Sequence, residues 1–251
     1  MEHKKRIYLI SKSKKRNMKI ALLTFVIAAA FINASAQTAD EVINKYVEAK
    51  GGKEKISQVK TLYMEGDMEI MGNTAPAATY IVNGKGYKSE LEFNGTKIIS
   101  VYTDKGGWTI NPMAGQSEPT PVAEDLVKAG QINLDASGPL FNYAAKGNKV
   151  EMLGKEDSNY KLKVITASNV EMTFFIDTAS YYNVKTITKM MNNGQEMEIT
   201  VENSDFKKTD QGLVMPYAGI ITYPGLSINM TQNKVEVNKD IDMAIFEMPK
   251  N

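Results

Sequence analysis

Cysteine is missing altogether, the single histidine is His3, and the only arginines are Arg6 and Arg16. Beyond Arg16 the chain therefore carries no thiol, imidazole or guanidinium. That excludes a Cys nucleophile, a Ser–His–Asp triad and a Cys/His zinc site. It also removes the bidentate fork that phosphate and base recognition usually employ. Carboxylate, Lys, Ser/Thr or Tyr chemistry remains, or none. No G-x-S-x-G, S-x-x-K or phosphate-cradling glycine loop stands in a credible context. The reading is of a non-enzyme with no catalytic residue, no metal site and no cofactor.

Long apolar runs are scarce as well. The main one, residues 20–32, is too short for a span of about 20 residues. It follows Lys19 and ends at Ala34-Ser35-Ala36, the pattern of a cleavable signal peptide. Residues 1–36 are read as that leader, with an uncleaved anchor as the rival and Met18 an alternative start. No Cys follows the apolar run, so lipid anchoring is excluded. The expectation is a periplasmic protein, exported and not lipid-anchored. Setting aside the leader's eight basic residues and Glu2 leaves 22 basic against 28 acidic residues, a net charge of −6. Nucleic acid is therefore not an expected partner.

What is present after residue 36 is mostly period-two pattern. Thr38 and Glu41 form a capping box before the stripe Val42, Ile43, Tyr46 and Val47, and Gly51 ends that helix. Residues 53–59 add a short second turn. From Thr61, Leu62, Met64, Met68 and Ile70 alternate with Tyr63, Glu65, Asp67 and Glu69, a strand with one dry face. Asn83-Gly84, Asn94-Gly95 and Asn193-Gly194 read as two-residue hairpins. They place Tyr80 opposite Tyr87, Glu92 opposite Lys97, Tyr87 opposite Tyr102, and Lys189 opposite Glu198. Residues 111–121 read as a loop, 120–129 and 139–146 as two helices, and 240–249 as a tucked end. The sum is an α+β chain, mainly antiparallel β. Its architecture is a strongly curved, unclosed β-barrel (a half-barrel) of about 11 strands. An N-terminal helix and a helical plug lie on the concave side.

The dry faces supply the candidate ligand-binding residues. The early strands contribute Leu62, Met64, Met68, Tyr80, Val82, Tyr87, Leu91, Phe93, Ile98, Tyr102 and Trp108. The insertion contributes Leu126, Val127, Leu140 and Phe141. The later strands contribute Met172, Phe174, Ile176, Met190, Met197, Ile199 and Val201. Ala78, Ser89 and Ser100 would leave a groove beside a Tyr80/Tyr87/Tyr102 wall. Thirteen methionines follow residue 36, and methionine suits surfaces that repack around varied apolar guests. Residues alone leave an ordinary core and a vacant cavity both open, and the insertion as either a fixed plug or a lid. Glu65, Asp67 and Glu69, like Glu196, Glu198 and Glu202, read as solvated strand faces, the rival being a calcium site or a glycosidase pair.

Three stretches resemble the LolA/LolB-like superfamily of lipoprotein carriers, in the outer membrane lipoprotein-sorting form found in Bacteroidetes. They are Ala39-Asp40-Glu41-Val42-Ile43-Asn44-Lys45-Tyr46 with Gly51-Gly52, then Asp205-Phe206-Lys207-Lys208 with Gly212-Leu213-Val214-Met215-Pro216. The third is Val235-Glu236-Val237-Asn238 with Phe246-Glu247-Met248-Pro249. The likeness covers nearly all of residues 37–251. It implies a single domain, an unclosed barrel with a helical plug, and an apolar cavity for lipid or lipoprotein acyl chains. The partners it implies are those acyl chains and an envelope protein, with the chain itself a monomer. One difference is plain: the carrier's lid contacts use an arginine, and none follows Arg16. The alternative function is a non-enzymatic envelope interaction or assembly protein with a filled core. An exported hydrolase using carboxylates ranks third.

Overall fold

The computed structural model describes residues 37–192 and 195–249. Residues 1–36, read above as a leader, and Asn193-Gly194, read as a two-residue hairpin loop, fall outside the described residues. Everything below concerns the unit Ala39–Asn251.

The chain opens with helix α1 (Ala39–Ala49) and a short α2 (Lys53–Ser57). Asp40 and Glu41 complement the positive end of α1, and Val42 and Ile43 are its buried stripe. Six strands follow: β1 (Thr61–Ile70), β2 (Asn73–Val82), β3 (Gly86–Phe93), β4 (Thr96–Thr103), β5 (Gly106–Asn111) and β6 (Gln116–Pro121). An insertion then carries α3 (Glu124–Gly130) and a 3-10 turn (Gln131–Leu134). Seven strands complete the fold: β7 (Lys149–Glu156), β8 (Asn159–Ile165), β9 (Glu171–Asp177), β10 (Asn183–Asn192), β11 (Gln195–Lys208), β12 (Val214–Tyr223) and β13 (Leu226–Val237).

All thirteen strands form one sheet in the order β6-β5-β4-β3-β2-β1-β13-β12-β11-β10-β9-β8-β7. The first and last strands pair antiparallel in its middle. The sheet has two free edges and is not closed. It bends nonetheless. Five strands separate β2 from β9, a flat distance of roughly 29 Å at the usual strand spacing. Yet Ala77, Thr79 and Ile81 of β2 face one cavity with Met172 and Phe174 of β9. Helix α3 likewise touches both β5 and β10, from opposite halves of the sheet.

Register follows the expectations at two hairpins and departs at the third. Glu92 pairs with Lys97, Leu91 with Ile98 and Tyr87 with Tyr102. Asn94 and Gly95 both take positive φ, 52° and 73°, as a type I′ turn demands. Lys189 pairs with Glu198 and Met190 with Met197. At Asn83-Gly84, however, the loop is one residue longer. Val82 pairs with Gly86, Ile81 with Tyr87 and Tyr80 with Lys88. Tertiary bonds hold this turn: Asn83 N donates to Lys60 O (2.8 Å), Gly84 N to Leu134 O (2.8 Å), and Asn83 Oδ1 accepts from Ala136 N (3.1 Å). Only Gly84 adopts positive φ, at 72°, and Lys85 becomes the extra loop residue.

A one-residue slip reverses a strand's faces. Tyr80 and Val82 therefore lie on the convex side, where Tyr80 packs on Tyr63 with ring centroids 5.0 Å apart. The small-residue row beside the tyrosines is Thr79, Ser89 and Ser100, with Ala78 on the other face. Trp108 also belongs to the convex side. It pairs with Val101 and joins Phe246, Tyr80, Val82, Ile99 and Ile110 in a second small core. Its indole Nε1 donates to Phe246 O at 3.0 Å. The C-terminal segment, with a 3-10 turn at Met243–Phe246, thus packs against the outside of the sheet.

Three further expectations are corrected. The described residues form thirteen strands where about 11 were expected. The stretch read as a loop contains a 3-10 turn (Pro112–Ala114) and the edge strand β6; its Pro119 and Pro121 obscured the strand, and only an edge tolerates them. The first insertion helix begins at Glu124, and the expected helix at 139–146 is a run of turns, with Gly138 and Gly147 in the left-handed region.

Candidate functional site

The apolar faces of most strands converge on the concave side. Against one half of the sheet, α1 packs Val42 and Ile43 onto Tyr160, Leu162, Val164, Met172, Phe174 and Ile176, with Leu140 from the insertion. Near the middle, Ile56 and Val59 meet Leu62, Ile81, Leu213, Val237 and Phe141. At the far end Ile70, Ala75, Phe93 and Ile228 close together with Leu91 against them. Between these clusters a cavity of about 460 Å³ stays open, within the range of roughly 300–1,000 Å³ seen for ligand sites.

Its walls come from eight strands and the insertion. Leu62, Met64, Met68, Ala77, Thr79, Ile81 and Tyr87 form one side; Met172, Phe174, Thr186, Thr188 and Val201 form the other. Met215, Ile221, Met230 and Gln232 lie between them, and Ile132, Asn133, Asp135, Ala136 and Pro139 cover the opening. No Lys lines it. Of its carboxylates, Asp135 is paired with Lys146 Nζ at 2.6 Å, and Asp67 accepts from Asn233 Nδ2 at 2.8 Å. Burial raises the phenol pKa of Tyr87, and of Tyr102 and Tyr223 nearby, so these hydroxyls stay neutral.

The covering segment, residues 131–139, is itself thin. A second space of about 420 Å³ lies on its other side and shares Ile132, Asp135 and Pro139 with the first. Polar contacts hold it there. Lys146 Nζ donates to Asp135, to Ser137 Oγ (2.7 Å) and to Gly138 O (2.9 Å). Lys50 Nζ donates to Ser137 O at 3.0 Å.

Of the residues singled out from sequence, Leu62, Met64, Met68, Tyr87, Met172, Phe174 and Val201 line the cavity. Ile176, Leu140 and Phe141 are buried in the cores around it, and Leu91 and Phe93 belong to the end cluster. Ile98 and Tyr102 share the face of Leu91 and Tyr87. Met190, Met197 and Ile199 continue the face of Thr188 and Val201. Val127 is buried and Leu126 half-buried in α3, but neither reaches the cavity lining. Tyr80 and Trp108 are displaced to the convex face, as above. The liners missed are Gly66, Asp67, Ala77, Thr79, Ile81, Thr186 and Thr188, the insertion's Ile132, Asn133, Asp135, Ala136 and Pro139, and those of β12 and β13. The period-two pattern of Ile221, Ile228 and Met230 would have revealed the last group.

Of the acidic rows only Asp67 reaches the cavity lining. Glu65 accepts from Tyr63 Oη at 2.7 Å, and Glu196 and Glu198 approach Lys189. Among the described residues no group of three or more His, Cys, Asp or Glu is placed to hold a metal ion. Nor, among them, is any helix long and apolar enough to cross a membrane.

No protein-family model matches the chain, and no curated protein sequence matches it. Solved structures do. A LolA superfamily protein of Nitrosomonas europaea aligns over 84% of this chain and 98% of its own, at 10% identity and a TM-score of 0.54. A DUF1329 family protein of Desulfovibrio piger gives the same coverage and TM-score at 14% identity. A domain of Vibrio parahaemolyticus named for outer membrane lipoprotein sorting aligns over 82% of this chain and 94% of its own, at 11% identity and a TM-score of 0.50. The fold is thus that of LolA superfamily and lipoprotein-sorting domains.

Proposed function

We propose that the chain is a non-catalytic carrier of the bacterial envelope that holds lipid or lipoprotein acyl chains in an apolar half-barrel. In this reading residues 1–36 are a cleaved leader and residues 37–251 one periplasmic lipid-binding domain. The insertion is the plug. The observation that carries the reading is the open, largely apolar space of about 460 Å³ between the bent sheet and residues 131–139. The fold shared with a domain named for lipoprotein sorting supports it.

The energetics are sufficient. Each buried methylene contributes about 0.8 kcal/mol, so one long acyl chain offers on the order of 10 kcal/mol before the costs of association. No covalent step is needed; transfer follows relative affinity between donor, carrier and acceptor. The alternative, an envelope assembly protein with a filled interior, fits poorly with that open space.

Native mass spectrometry and solvent extraction of the purified protein test the proposal. Co-purifying or exchangeable lipid at about one equivalent is expected. A protein that neither carries lipid nor takes up an apolar dye refutes it.

A further inference from the structure

Resting on that reading, we infer that the cavity selects lipids whose buried polar group is uncharged and accepts hydrogen bonds, and rejects ionised fatty acids. Two observations carry this. The first is electrostatic. Among the described residues no cationic side chain lines the cavity. Lys146, which pairs with the lining residue Asp135, is also bonded to Ser137 and Gly138. A carboxylate drawn inside would meet no counter-charge, and a buried unpaired charge is costly enough that the group gives up its charge or stays out.

The second is a pair of hydroxyls on one wall. Thr186 and Thr188 stand two residues apart on β10, facing Phe174 and Met172 of β9 in register. They are 7% and 9% exposed. Thr186 Oγ1 accepts from Asn183 Nδ2 at 2.9 Å, so its own hydrogen is left to point elsewhere. Thr188 Oγ1 has no hydrogen-bond partner among the described residues. Both therefore offer donors on an apolar wall, and a strand spaces them by roughly 7 Å. Ester and amide carbonyls meet this chemistry. A bare hydrocarbon leaves the donors unused.

Displacement of the uncharged dye phenylnaphthylamine from the purified chain at pH 8 tests the inference, with methyl dodecanoate, dodecanoate and dodecane as competitors. Methyl dodecanoate should compete best and dodecanoate roughly 30-fold more weakly. The double variant Thr186→Val, Thr188→Val keeps the shape of the wall. Relative to the dye affinity measured on the same variant, it should lose roughly 5-fold in ester affinity, leaving methyl dodecanoate no better than dodecane. Equal competition by dodecanoate, or an ester advantage that survives in the variant, overturns the selectivity while leaving the carrier reading standing. Failure of the wild-type chain to bind the dye overturns both.

Discussion

The seating of the insertion on the sheet can be tested at Gly130. This residue closes α3 with ordinary helical angles, φ −67° and ψ −30°, so its backbone does not require glycine. By helix propensity alone, Gly130→Ala should stabilise by about 1 kcal/mol. The surroundings reverse the sign. A Cβ at this position would stand 2.3 Å and 2.4 Å from two atoms of the Tyr102 ring. Tyr102 is not free to swing away: it lies on β4 beside Tyr87, with ring centroids 6.1 Å apart. The adjacent Gln131 is tied to Thr103 O at 2.9 Å. Overpacking of this kind typically costs about 1–3 kcal/mol, so the net expectation is a loss of about 1 kcal/mol. For a chain of this size that lowers Tm by about 2–4 °C. Urea unfolding of four proteins separates the two terms: wild type, Gly130→Ala, Tyr102→Ala and the double variant. With the ring removed, Gly130→Ala should become stabilising by about 1 kcal/mol, a sign inversion that only a direct contact produces. If Gly130→Ala stabilises the wild-type background equally, the insertion does not sit against β4 as described.

Other consequences can be measured with the same material. Trp108→Phe removes the donor to Phe246 O and should cost about 1–3 kcal/mol, read by urea unfolding; an unchanged midpoint would show that the C-terminal segment is not held there. The phenols of Tyr87, Tyr102 and Tyr223 are raised from 10.0 by burial. Their contribution is therefore intact below about pH 10 and lost as pH rises through the folded values. Absorbance titration should show these three ionising together with unfolding; reversible ionisation near pH 10 in an intact fold contradicts this. Asp177 accepts from Ser180 N and Ser180 Oγ at 2.7 Å each and from Ala179 N at 3.1 Å, and the Ser180 bonds chiefly lower its pKa from 3.8. Its stabilisation is present above that value and lost as pH falls through the lower folded one. Asp177→Ala should cost about 1–2 kcal/mol at pH 7 and much less at pH 2, by thermal unfolding at both; an equal loss at both argues against the carboxylate.

Local chemistry settled a large part of this molecule. The alternation in β1, the amphipathic stripe of α1, and the opposed charges of β10 and β11 each have a period or a pairing that admits one face inward. The turn at Asn94-Gly95 behaves as its residues dictate, with positive φ at both and open space beside Gly95. The lack of Cys, and of His or Arg beyond Arg16, likewise narrowed the chemistry before any fold was known. Tertiary structure decided the rest. The Asn83-Gly84 turn took a different loop because Lys60, Leu134 and Ala136 claim its polar groups, and that single residue moved Tyr80 outside. Trp108 looked like any other aromatic on a half-dry strand; only the C-terminal segment folding onto the convex face gives it a second apolar surface to enter. Edge position makes Pro119 and Pro121 compatible with β6, and edges are invisible until strands are ordered. The cavity is of the same kind: whether facing apolar side chains meet or stop short depends on the bend of the whole sheet and the seat of residues 131–139. No window of sequence encodes those distances.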